Sequence, residues 1–122
     1  MAKNWRQALG KWGEMKAASY LISQGIEILK RNYRCEYGEI DLIAKDGETI
    51  VFVEVKTRSS SKYGQPEEAV DAAKQEHIIA SAENYLMENS FTEDWRVDVV
   101  SIIGQPKDKE AEELMWYKNA LE

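Results

Sequence analysis

Cysteine is all but missing from this 122-residue chain, where Cys35 stands alone. An intramolecular disulfide is therefore excluded, and so is a cysteine-rich zinc site. A lone thiol suits a reducing compartment. Histidine is equally scarce: His77 is the single example, read as a structural or exposed helix residue. No apolar run approaches the ~18 residues that a membrane-crossing helix needs. The first residues, MAKNWRQALGKWGE, lack the apolar core of a secretion signal, so the cytoplasm is the expected location. Repeats, low-complexity stretches and long linkers are also missing. A chain of this length has room for one domain with a real core, so residues 1–122 are taken as a single unit.

What the sequence has is charge, unevenly placed. The formal net charge of −6 argues against tight, indiscriminate binding to nucleic acid. Its distribution tells more. Residues 1–82 balance 12 basic against 12 acidic side chains, and residues 83–122 carry the whole acidic surplus. Residues 1–34 hold 7 basic and 2 acidic residues, so a basic face can lie beside an acidic C-terminal end.

Residues 4–24 read as a helix, capped by Asn4 and stopped by Gly25. Ala17, Ala18, Leu21 and Ile22 form its apolar stripe, and Glu14 projects to the same side. Gly10 and Gly13 cost helix stability and are expected to allow a close approach. Residues 26–34 read as a strand, 39–45 and 48–58 as a hairpin, and 59–66 as a loop. Pro66 fits the first turn of a second helix running to about Glu88. Its inner stripe takes Val70, Lys74, Ile78, Ser81 and Tyr85. Residues 95–103 are a further strand, 104–111 a polar turn region, and 112–118 a last strand in preference to a helix. The order α-β-β-β-α-β-β predicts an α/β sandwich: a mixed central sheet with one helix on each side or both on one.

The hairpin carries charges where apolar residues belong. A two-residue turn at Asp46-Gly47 would face Lys45 with Glu48, Asp41 with Phe52 and Glu39 with Glu54. Alternation then puts Glu39, Asp41 and Ile43 on one face with Ile50, Phe52, Glu54 and Lys56. Ile40, Leu42, Ala44, Val51, Val53 and Val55 fill the other. Asp41 and Glu54 become diagonal neighbours whose carboxylates repel unless a cation lies between them. Two readings are open on the residues alone. One is an ordinary exposed face with Lys56 paired to Glu39 or Glu54. The other is a Mg²⁺ site built from Asp41, Glu54 and the Val55 carbonyl. In the second, the ion serves phosphodiester hydrolysis and Lys56 stabilises developing charge. Glu14 adds a carboxylate and Lys74 touches a phosphate, provided both helices reach the same side of the sheet. Arg58 and Lys62 are candidate phosphate contacts flanking the loop. Trp5, Trp12, Trp95 and Trp116 are read mainly as packing residues, although tryptophans also stack on bases.

Asp41 followed by E-V-K at 54–56 resembles the PD-(D/E)xK nuclease core. The segments GKWGEMKAASYLISQGIEILKRNYR, GEIDLIAKDG, VFVEVKTRSSSKYGQPEEAVDAAKQ and WRVDVVSI together resemble the YraN family of bacterial proteins. The likeness covers about residues 9–120. It implies a restriction-endonuclease-like fold, similar to that of archaeal Holliday-junction resolvases. It also implies a Mg²⁺- or Mn²⁺-dependent endonuclease acting on DNA, branched or single-stranded forms included, with Glu14, Asp41, Glu54 and Lys56 as the catalytic set. Lys74 matches a basic position of the following helix. Ile40 stands where the superfamily's name has proline, and no Q-x-x-x-Y motif follows. The alternative expectation is a nucleic-acid-binding repair or recombination module with this fold and little turnover. A third is a protein-interaction module working through the acidic C-terminal end. A homodimer is expected, since two-fold pairs let two sites reach two strands.

Overall fold

The structure is a computed structural model that describes residues 2–59, 72–108, 111 and 113–121. Two helices, α1 (Ala2–Ser23) and α2 (Ala72–Glu88), accompany five strands. The strands are β1 (Glu27–Cys35), β2 (Gly38–Asp46), β3 (Thr49–Arg58), β4 (Trp95–Ile103) and β5 (Glu113–Tyr117). The order α-β-β-β-α-β-β is the expected one, and the C-terminal element is the expected strand. The five strands form one sheet in sequence order, with β3 at its centre. The β3–β4 pair is parallel and the other three are antiparallel, so the sheet is mixed. Parallel neighbours need a crossover, and α2 lies in it. No helix among the described residues is long and apolar enough to cross a membrane.

Each face of the sheet has its own core. α1 buries Leu9, Trp12, Ala17, Ala18 and Leu21 against Leu42, Ala44, Val51, Val53, Val100 and Ile102. α2 buries Ile78, Ala82, Tyr85 and Leu86 against Ile43, Ile50, Phe52 and Val97. The helices therefore sit on opposite faces, giving three layers. Side chains such as Phe52, Ile50 and Leu42 are essentially sealed from water. Each contributes about 1.5–3 kcal/mol of transfer free energy. Phe52 is further held edge-on between Tyr85 and Trp95, at centroid distances of 6.0 and 5.6 Å.

Local chemistry explains the element ends. Gly25 at φ 87° closes α1. Its N–H donates to the Ile22 carbonyl and that of Ile26 to the Leu21 carbonyl, both at 3.0 Å, which is a Schellman cap. Asn4 is not the N-cap: α1 already runs from Ala2, so Asn4 lies inside it. Ile22 does not join the apolar stripe but is exposed, one position beyond the buried Leu21. Gly13 fulfils the expectation of close approach, because a Cβ there would overlap the Thr57 side chain. Pro66 and Val70, expected in the first part of the second helix, lie outside the described residues.

The hairpin register differs from the sequence expectation by two residues. Asp46 pairs with Thr49 and Leu42 with Val53, so Gly47-Glu48 forms the turn. Of these two only Gly47 has positive φ, at 61°, as a type II′ turn requires. Asp46-Gly47 as the central pair of a type I′ turn would have forced Asp46 left-handed as well. Extending the observed register puts Asp41 level with Glu54 rather than diagonal to it. A two-residue shift preserves which face each side chain occupies, so the grouping of charges largely survives.

One face assignment does not survive. The β1–β2 ladder pairs Arg31 with Leu42 and Tyr33 with Ile40, stepping over Asn32 and Asp41. Asn32 takes φ 53° there. The alternation is broken at this step, and Ile40 packs with Tyr33 in the α2-side core instead of beside Leu42. A left-handed residue inside a strand is strained, and asparagine tolerates it better than most.

Candidate functional site

Asp41 and Glu54 are buried, at 9% and 7% exposure, which removes the reading of an ordinary solvated face. Three local features create their setting. The β2–β3 ladder ends at Leu42 and Val53. Asp41 has been left out of the β1 ladder as well. Its carboxylate fills the gap, where Oδ2 accepts the Val55 backbone N–H at 2.8 Å. A side chain has taken over a sheet hydrogen bond, and this fixes Asp41 beside Glu54.

The supporting groups arrive from both layers. From α1, Glu14 reaches Asp41 and Asn32. From α2, the Lys74 Nζ lies 2.7 Å from Glu54 Oε2. From β3 itself, the Lys56 Nζ lies 3.4 Å from the same oxygen. The proviso that both helices reach the same side of the sheet is not met, and the alternative of one helix on each side is what the fold adopts. They lie on opposite sides and meet at the gap between β2 and β3. Glu39 is paired with Arg34 at 3.0 Å and acts on the centre through its charge on Glu14.

Packing acids together perturbs them. Burial, then the negative charge of Glu54 and a hydrogen bond to it, push the Asp41 carboxyl up to about 8. Asp41 therefore carries a proton near neutrality and donates it to Glu54. Burial raises Glu14 too, with help from the charge of Glu39. Burial also acts on Glu54, but the Asp41 hydrogen bond and the two ammonium groups outweigh it, and Glu54 stays below the usual carboxylate range. Burial and the neighbouring Lys74 lower Lys56. Lys74 is raised: burial opposes its charge, but Glu54 overcomes that.

The donor set suits a hard divalent cation. It offers two adjacent buried carboxylates, now satisfied by a proton and two ammonium groups, and the main chain of Val55 between Glu54 and Lys56. Mg²⁺ commonly takes one or two protein carboxylates and keeps several waters. Among the described residues no group of three or more His, Cys, Asp or Glu side chains is placed to hold a metal ion, so the Asp41–Glu54 pair would need main-chain and water ligands.

Arg58 lies beside this centre, along a groove that also includes Glu14 and Val55. Lys62 lies outside the described residues. His77 is exposed, its Nδ1 2.9 Å from the Tyr37 carbonyl and away from the acids. Trp12 is buried in the α1-side core. Trp95 packs on Phe52, and Trp116 packs edge-on against Tyr20 at 6.2 Å. Only Trp5 is largely open, at 49%.

Two residues escaped sequence reasoning. Asn32 supports Glu14, and its one signal was an asparagine in the middle of a strand-like run, where asparagine is disfavoured. Asp98 is fully buried on β4 and organises the C-terminal segment. It accepts bonds from Arg96, the Trp116 indole and the Asn119 N–H, at 3.0, 2.9 and 2.8 Å. Nothing in WRVDVVSII distinguished Asp98 from an exposed strand residue.

Comparison with known proteins agrees with the resemblance. The sequence profile described as "Uncharacterised protein family UPF0102" matches residues 13–102. A UPF0102 protein of Caldicellulosiruptor saccharolyticus is 45% identical over 117 residues, covering 95% of this chain and 98% of the relative. A UPF0102 protein of Janthinobacterium sp. is 40% identical over 117 residues, covering 96% and 89%. One of Chlorobium chlorochromatii is 51% identical over 94 residues, covering 77% and 73%. With a matching profile over most of its length and relatives this similar end to end, the chain belongs to the UPF0102 (YraN) family.

Proposed function

We propose that this protein is a metal-dependent endonuclease that hydrolyses DNA phosphodiester bonds. The observation that carries the reading is the buried Asp41–Glu54 pair, with Lys56 on the same strand. Two carboxylates packed together in an apolar setting work against folding stability, and a divalent cation relieves that repulsion. A structural role alone would be served better by apolar residues of similar volume.

Asp41, Glu54 and the Val55 carbonyl would hold Mg²⁺ or Mn²⁺. Bound there, the ion would supply Lewis acidity toward the phosphodiester and the attacking water. The chain's own residues do the rest. Asp41 would hold the ion as a carboxylate, its proton released to solvent, with the Val55 N–H keeping it oriented. Lys56 presents positive charge to the phosphate as negative charge builds on it. Lys74 leaves Glu54 for a substrate phosphate, which exchanges one anionic partner for another. Glu14, held by Asn32, adds a carboxylate from the α1 side. Arg58 and the exposed basic residues Arg6, Lys11, Lys30 and Arg31 support DNA as the partner despite the net charge of −6. A two-fold dimer would bring two such sites to two strands, and the cytoplasm is the compartment that fits.

The test is cleavage of duplex, single-stranded, flapped and four-way-junction DNA in Mg²⁺ and Mn²⁺. The expected result is metal-dependent cleavage that falls by roughly 10²–10³-fold in Glu54→Gln and Lys56→Met, with both variants folded. No cleavage of any form by folded, metal-loaded protein would refute it. Binding that survives Asp41→Ala and Glu54→Ala without turnover would select the accessory-module reading instead.

A further inference from the structure

A groove of about 680 Å³ runs along α1 past the end of β3, lined by Trp5, Arg6, Gly10, Glu14, Thr57 and Arg58 among others. Its size falls within the ~300–1,000 Å³ of small-molecule sites. One end holds Glu14 and Val55, members of the acidic centre. The other holds Trp5, a large aromatic half open to solvent. Trp5 also lines an adjoining groove of about 380 Å³ with Ser59, Gln105 and Pro106. The indole thus stands where two channels join, and the Arg6 guanidinium lies 5.6 Å from its centroid.

Gly10 is the second observation. Glycine inside a helix costs stability, and close packing usually explains its presence. Gly13 has that explanation in Thr57, but Gly10 does not: among the described residues a Cβ there would meet nothing within 4 Å. What Gly10 provides is space in the wall of the groove.

We propose that this groove binds one unpaired nucleotide, its base stacked on Trp5 and its backbone drawn along Arg6 and Arg58 toward the acidic centre. The inference rests on the nucleic-acid reading above and narrows its substrate class. A base within an intact duplex has both faces covered by its neighbours and offers Trp5 nothing to stack on. An unpaired base has a free face, and stacking on an aromatic side chain is indifferent to which base it is. Arginines supply the charge a phosphate needs, and an apolar peptide would not call for them. The preferred substrate is therefore DNA with single-stranded character beside the scissile bond.

Binding is measured in EDTA by fluorescence polarisation, with labelled single-stranded, flapped and fully paired DNA. Trp5→Ala is expected to weaken the single-stranded and flapped forms about tenfold and leave the duplex within about twofold. Trp5→Phe, which keeps an aromatic face, restores binding. Gly10→Leu fills the groove and also improves the helix, so it is expected to lose binding while its melting temperature rises. Wild-type affinity in both Trp5→Ala and Gly10→Leu overturns the proposal. So does a loss in Trp5→Ala that is equal on all three forms. The expected pattern without any metal-dependent cleavage supports the groove and refutes the nuclease reading. Cleavage indifferent to Trp5 and Gly10 does the reverse.

Discussion

Replacing Asp41 with asparagine should make the metal-free protein more stable, and more so as the pH rises. The folded carboxyl titrates near 8 against an ordinary 3.8. Between those values the folded state holds a proton that the unfolded chain has released. Stability then falls as pH rises through the window, by at most about 1.4 kcal/mol per pH unit. From about pH 5 to about pH 8 the ceiling is roughly 4 kcal/mol. Relaxation of the site and entry of water as the second charge forms reduce this, so about 2 kcal/mol is expected. Asparagine is close to an isostere of the protonated acid. Its oxygen accepts the Val55 N–H and its amide donates to Glu54, without a proton to lose. The assay is thermal unfolding of both proteins in EDTA at the two pH values. Near pH 5 the melting temperatures should nearly coincide, and near pH 8 the variant should lead by about 8 °C. A difference that does not grow with pH, or a wild type that gains on the variant, would refute the reasoning.

Gly13→Ala should lower stability by about 1–2 kcal/mol even though alanine favours the helix, because the new methyl group overlaps Thr57. The double variant with Thr57→Ala should recover part of the loss in urea titrations, and a stabilised single variant would contradict the packing. Asp98→Ala should cost about 2–4 kcal/mol, since it leaves Arg96 with Asp46 alone and releases the Trp116 indole and the Asn119 N–H together. Limited proteolysis should then cut first in the segment after Gly104, and a loss below about 1 kcal/mol would mean that Asp98 is not the anchor.

Most of the fold was legible because its signals are local. The spacing of Ala17, Ala18 and Leu21, the Gly25 stop and the alternation of β3 each depend on a few neighbouring residues. The grouping of the candidate site residues was legible for a second reason. Asp41, Glu54 and Lys56 keep a common grouping under any hairpin slip of two residues, so an error in the turn did not scatter them. What the sequence concealed was non-local. Asp-Gly and Gly-Glu turns differ by which residue must be left-handed, and that is decided by the whole ladder. The placement of α1 and α2 on opposite faces depends on how the crossover from β3 to β4 wraps the sheet. The burial of Asp98 depends on β5 and on residues 118–121 closing over it, about twenty positions away.

The gap in the β1–β2 ladder at Asn32 and Asp41 reaches beyond the acidic centre. A sheet is ordinarily a wall, and what happens to the charges on one side is insulated from the other by a layer of apolar side chains. Here the wall has a window, and a single carboxyl group occupies it. Glu14 on one side and Lys74 on the other belong to one electrical circuit through Asp41. A charge placed beside Glu14 would therefore act on the lysine of α2 through Asp41, with no movement of either helix required.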